Sequence, residues 1–170
     1  MQIRPFLESD ESAVIALWNA CKLTRPWNDP RKDIACKLTV QRELFLVGVI
    51  DNDIVASVMA AFDGHRGWIN YLAVHPDFQR RKLGATLMKY VEQRLLDAGC
   101  PKINLQVRST NENVLKFYRD IGYEQDDVVS LGKRLIPDAP AANTAASSLA
   151  SKRLRNGPRP SAPKRFESLQ

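Results

Sequence analysis

The chain has 170 residues, 44% of them hydrophobic and 26% charged, with a formal net charge of +6. That length suits one domain with a real core plus an appendage, and no run approaches the roughly eighteen apolar residues of a membrane span, so neither a membrane protein nor a membrane partner is expected. The start, MQIRPFLESDES, has no apolar signal core, and Cys21, Cys36 and Cys100 are odd in number and far apart, which predicts unpaired thiols in a reducing, cytoplasmic setting and no metal site.

Residues 2–6 read as a first strand. Asp10 can cap a helix carrying Val14, Leu17, Trp18 and Cys21 at spacings of three and four. RPWNDP breaks the chain, and Pro30 opens a second helix through about Val40. LFLVGVI (44–50) and IVASVMAAF (54–62) are β-rich runs joined by Asp51-Asn52-Asp53, a hairpin signal. The turn 63–67 leads into WINYLAV (68–74), and a long helix with Leu83, Leu87, Val91 and Leu95 on one stripe stops at Gly99. A strand at 103–107 follows, and Asn111 or Asn113 opens a short helix with Val114, Phe117, Tyr118 and Ile121 on one face. Gly122 closes it, and two further strands are expected to end near Ile136.

The last segment, 137–170, is rich in Pro, Ala and Ser and carries six Lys or Arg against two acids, whereas 1–136 carries nineteen against seventeen. Its composition predicts a disordered basic tail. The cluster KRLRNGPRP could meet RNA, a membrane or an acidic protein, but a solvated tail is the plainer reading, which disfavours nucleic acid as a partner.

Arg80, Arg81 and Lys82 sit at the start of the long helix, where the helix dipole favours anions and cations are least welcome. A bound phosphate would reconcile them with the free N–H groups of that turn; a solvated charge run is the bland alternative. YLAVHPDFQRRKLGATLM resembles the acetyl-CoA signature of the GNAT superfamily of N-acetyltransferases, with Gln79, Leu83 and Gly84 on the matching positions. NENVLKFYRDIGY resembles that family's second segment, and LTRPWNDP, FDGHRG and SLGKRLI resemble its YpeA-type bacterial branch. Lys82, and Arg80 at another common position, stand where the family usually has Gly. If both take ordinary negative φ, the amides can still face a phosphate.

The resemblance covers 1–136 and implies an α+β (α/β) fold: a mixed, mostly antiparallel sheet flanked by helices. It implies direct acetyl transfer from acetyl-CoA to a primary amine on a protein or a small molecule. The cofactor positions it implies are Leu72, Ala73, Val74, Gln79, Arg80, Arg81, Lys82, Leu83, Gly84, Ala85, Asn111 and Phe117. Backbone groups of 72–74 would serve pantetheine and the acetyl oxygen, and Asn111 either the pantetheine arm or a helix cap. Tyr118 matches the general acid, although its place on the apolar stripe fits core packing as well. His65 and Asp63 are candidate bases, Glu43 a weaker one, and a water chain serves equally; the position some relatives give to a Glu is Trp68. His75 reads as structural. Trp27 and Asp29 could line the acceptor site, or Trp27 could pack inward in a proline-braced turn. A homodimer stays open. Against the enzyme stand two other classes, a non-catalytic acyl-CoA sensor and a nucleic-acid-associated protein using its basic tail.

Overall fold

In the computed structural model residues 1–136 are described. The elements run β1 (Gln2–Pro5), α1 (Glu11–Ala20), α2 (Pro30–Leu38), β2 (Phe45–Ile50), β3 (Asp53–Phe62), β4 (Gly67–Val74), α3 (Leu83–Asp97), β5 (Ile103–Leu105) and α4 (Glu112–Asp120). The five strands lie in chain order, β1 to β4 antiparallel and β5 parallel to β4. The β2–β3 turn places Asp51 and Asn52 at φ 49° and 69°, the left-handed pair that suits a tight hairpin and the strand twist.

Two cores sandwich the sheet. On one face Leu46, Ala56, Val58 and Ile69 meet Leu87, Met88, Val91 and Leu95 of α3 and Tyr118 of α4. On the other, Phe45, Val47, Met59 and Ala73 meet Val14, Leu17 and Trp18 of α1 and Ile34 of α2. The period-four stripe of α3 explains its side of the sandwich, since Leu87, Val91 and Leu95 are all wholly buried. Trp18 seals the other side: its Nε1–H donates to the buried Ser57 Oγ at 2.8 Å, so the indole loses no hydrogen bond on burial.

The strands expected to close the domain do not form. Among the described residues no strand follows α4, and 124–136 is exposed coil. β5 pairs with β4 for only three residues, so its free edge is too short to template a long ladder. The segment runs alongside it through side chains instead: Lys102 Nζ to Asp126 Oδ1 at 2.7 Å and Gln106 Nε2 to Ser130 Oγ at 2.6 Å. The tail at 137–170 lies outside the described residues.

Candidate active site

β4 is the organising element. It pairs with β5 only at Gly67, Trp68 and Ile69, so beyond Ile69 its β5-facing edge lacks a strand partner among the described residues. In the β3 register Ser57 faces Ala73 but Met59 faces Asn70, so Val58 alone opposes Tyr71 and Leu72. This is a β-bulge, and Tyr71 takes it up at φ 52°, a costly conformation for a bulky residue. The bulge re-aims side chains. Ile69 and Leu72 face the α3–α4 core while Tyr71 and Ala73 face the α1–α2 core. Two contacts hold Tyr71 there: its ring stacks on Trp18 at 4.1 Å, and Ser57 Oγ donates to its carbonyl at 3.3 Å.

Past Val74 a single 3₁₀ turn, Pro76–Phe78, leads to the start of α3. Here the condition of negative φ is not met: Arg80 and Lys82 sit at φ 60° and 59°. Both thus adopt the left-handed backbone that glycine adopts without strain, at about 1–2 kcal/mol each for an ordinary residue. Left-handed residues alternating with others make a concave nest of N–H groups that suits an anion. Among the described residues none of Arg80, Arg81 or Lys82 pairs with a carboxylate, and Arg81 lies over the Phe78 ring, 5.0 Å from its centroid. Gln79 has another task, donating from Nε2 to the Val74 carbonyl at 3.0 Å, which Cys21 Sγ also reaches at 3.2 Å. Its side chain ties the loop to the end of β4.

α4 lies against this turn. A Cβ on Gly84 would come 3.3 Å from the Phe117 ring and 3.6 Å from Val74, so glycine lets the two helices and β4 converge. Leu83 and Ala85 flank it, half-buried. Tyr118 is 8% exposed, edge-on to Phe117 and Tyr123 at 5.1 and 5.4 Å. Burial pushes its phenol up to about 12, which keeps the proton on at neutral pH. Asn111 is the N-cap of α4, yet its side chain makes no capping bond, so the expected alternative role as a side-chain cap is not realised.

The candidate bases sit elsewhere. Asp63 Oδ1 accepts from the N–H groups of Arg66 at 2.7 Å and His65 at 2.8 Å, and Oδ2 from Trp68 Nε1 at 3.0 Å. Those bonds, Arg66 first, hold its carboxyl down at about 2, which makes it a poor proton acceptor at neutral pH. Asp63 and His65 belong to the turn before β4, roughly 20 Å along the strand from the bulge at ~3.3 Å per residue. Glu43 is exposed in the short turn before β2. His75 accepts at Nδ1 from the Asp77 N–H at 3.3 Å, at the start of the turn after β4.

On the acceptor side Asp29 is occupied as the N-cap of α2, taking the Arg31 and Lys32 N–H groups at 3.0 and 3.4 Å. Trp27 is 49% exposed, so the inward packing considered for it does not occur. A carboxylate not foreseen from the sequence lies nearby: Asp33 of α2 accepts from the Tyr71 hydroxyl at 2.5 Å. The two are 38 residues apart, and no spacing rule connects them. Among the described residues no cluster of three metal-ligating side chains exists, and no helix is long and apolar enough to cross a membrane.

The chain belongs to the GNAT family of acetyltransferases, whose family profile matches residues 12–123. It is 49% identical over 138 residues to a protein named as an acetyltransferase in Pectobacterium atrosepticum, covering 81% of this chain and 98% of that one. A counterpart in Yersinia enterocolitica is 49% identical, with the same coverage. Among solved structures, an aminoglycoside antibiotic 6′-N-acetyltransferase from Acinetobacter haemolyticus superposes with a TM-score of 0.66 at 18% identity, over 80% of this chain and 100% of that one. The ribosomal-protein-S18-alanine N-acetyltransferase of Escherichia coli does so with a TM-score of 0.63 at 20% identity, over 74% and 78%. At such identities the likeness is one of fold, and the acceptors in those two names differ in kind.

Proposed function

We propose that this chain moves the acetyl group of acetyl-CoA directly to a primary amine, with the donor on the α3–α4 side of β4 and the amine arriving from the α1–α2 side. One observation carries the reading: the bulge turns Leu72 toward the core that holds Tyr118 and Tyr71 toward Asp33. The donor supplies an activated thioester; the residues here suit its binding and the proton traffic. The nest at Arg80 and Lys82, with their charges and that of Arg81, fits the pyrophosphate. Leu83, Gly84 and Ala85 offer amides of the first turn of α3, and the stretch Leu72, Ala73 and Val74, whose Val74 carbonyl is already taken by Gln79 and Cys21, offers backbone N–H groups for pantetheine and the acetyl oxygen. Asn111 has its amide free for the pantetheine arm, and Phe117 gives that arm an apolar wall.

Tyr118 then donates its proton to the departing thiolate sulfur. Asp33, oriented by Tyr71, attracts the incoming ammonium from the opposite face, and deprotonation runs from there to water; Trp27, exposed, is available as an apolar surface on the acceptor side. A protein lysine or N-terminus and a small-molecule amine both meet these requirements. Unpaired cysteines, Cys36 exposed among them, support a cytoplasmic location. The test is a panel of polyamines, amino acids, aminoglycosides and lysine or N-terminal peptides, scored by thiol released from acetyl-CoA. One amine class should stand well above the rest. No release above buffer with any amine contradicts the reading and favours a non-catalytic sensor.

A further inference from the structure

The helix that carries Tyr118 ends in a way that folds a second tyrosine back against it. Gly122 takes φ 96°, a left-handed turn that glycine makes without strain. Its N–H donates to the Arg119 carbonyl at 3.0 Å, and the Tyr123 N–H donates to the Tyr118 carbonyl at 3.0 Å. That pair of bonds is the Schellman arrangement, in which the residue after the glycine packs on the last turns of the helix. Here the two residues that meet are both tyrosines, edge-on with ring centroids 5.4 Å apart.

Such a cap asks only for an apolar ring, and Tyr123 has more. Half-buried, it donates from its hydroxyl to Glu92 Oε1 of α3 at 3.0 Å. Burial first, and then the Glu92 charge, push the Tyr123 phenol above its ordinary range, so the tyrosine keeps its proton and the carboxylate accepts it in a charge-assisted bond. Glu92 is also half-buried, and among the described residues it forms no ion pair. A carboxylate partly withdrawn from water for a tyrosine hydroxyl, with no cation bound, needs a reason beyond capping α4.

Tyr118 supplies that reason. Among the described residues no hydrogen bond fixes its hydroxyl, so packing alone sets where the phenol points. Its ring has two aromatic neighbours, Phe117 at 5.1 Å and Tyr123 at 5.4 Å. Phe117 has no polar group, so only Tyr123 ties the cluster to α3 by a directed bond. We propose that Tyr123, anchored by Glu92, is a positioning residue that holds the Tyr118 hydroxyl where the departing sulfur is protonated. The inference rests on Tyr118 being the proton donor proposed above. A general acid must stay within hydrogen-bond reach of its target, and a displacement of about 1 Å can lower a rate a hundredfold.

A double-mutant cycle tests this, with Tyr118→Phe, Tyr123→Phe and the double variant scored by thiol release and checked for folding by melting curves. Tyr123→Phe keeps the ring and the cap and removes only the anchor. It should lower kcat about tenfold while KM for acetyl-CoA changes by less than about twofold. In the Tyr118→Phe background the same change should lower kcat no further, because the residue through which it acts is gone. Glu92→Gln keeps an acceptor for the hydroxyl and should hold kcat near the parent's, whereas Glu92→Leu should match Tyr123→Phe. Parent-like kcat in Tyr123→Phe overturns the proposal. An equal loss in both backgrounds overturns it too, since that marks a role in stability alone. Parent-like turnover in Tyr118→Phe is a separate failure: it removes the proton donor itself, and the brace with it.

Discussion

Lys82 combines a strained backbone with a cationic side chain at the start of α3, and the two can be separated. Its φ of 59° costs about 1–2 kcal/mol for a residue with a Cβ, whereas glycine loses about 0.5–1 kcal/mol through its freer unfolded state. Strain is the larger of the two. Lys82→Gly should therefore raise the melting temperature while weakening acetyl-CoA binding in a salt-dependent way; unchanged affinity by calorimetry would mean the charge does not meet a phosphate. Asp33→Asn keeps a hydrogen-bond partner for Tyr71 and removes the charge. It should raise KM for the amine about tenfold or more, roughly 1.4 kcal/mol, and leave acetyl-CoA affinity alone. Neither residue's part was fully legible. The chain shows that Lys82 and Arg80 replace glycine, but it does not show that they keep glycine's conformation, and Asp33 meets Tyr71 only through the tertiary fold.

The bulge in β4 is an element-scale device, and Ser57 is its anchor. Its buried hydroxyl accepts from Trp18 and donates to the Tyr71 carbonyl. Ser57→Ala leaves an indole N–H and a carbonyl wanting, at about 1–3 kcal/mol, and should lower kcat as well as stability, because the bulge sets where Leu72 points. Val91→Ala on α3, a wholly buried position, should cost about 2 kcal/mol or more from its cavity with kcat little changed. The helices were legible because stripes such as Leu83, Leu87, Val91 and Leu95 carry their period openly, and Asp51-Asn52 carries its turn. The bulge was not, since INYLAV is apolar on both faces and alternation gives no phase to lose. Two closing strands were expected before Ile136, but the adjoining edge of β5 is only three residues long, and strand propensity without a matching edge does not make a strand.

At the scale of the molecule, the proposed mechanism puts donor chemistry and acceptor chemistry on opposite sides of the sheet, and β1 ties the first loop to that sheet. Asp10 is buried, and its carboxylate takes both Arg4 N–H groups at 2.7 and 3.0 Å and the Leu7 N–H at 2.8 Å. The Arg4 bond leads in holding its carboxyl below the ordinary range. A depressed carboxyl stabilises above its unfolded pKa of about 3.9 and loses that contribution as pH falls through the lower folded value. Asp10→Asn should thus destabilise at pH 7 and converge on the parent in strong acid.

The division of labour across β4 rests on Tyr118 as the proton donor. The deciding measurement is Tyr118→Phe, with kcat from thiol release and acetyl-CoA affinity by calorimetry, at pH 6–9. The parent should show no alkaline loss of kcat from this group in that range, because the buried phenol titrates only at about 12. The variant should lose about a hundredfold or more in kcat while binding acetyl-CoA almost as before. Turnover equal to the parent's at unchanged affinity would contradict the account.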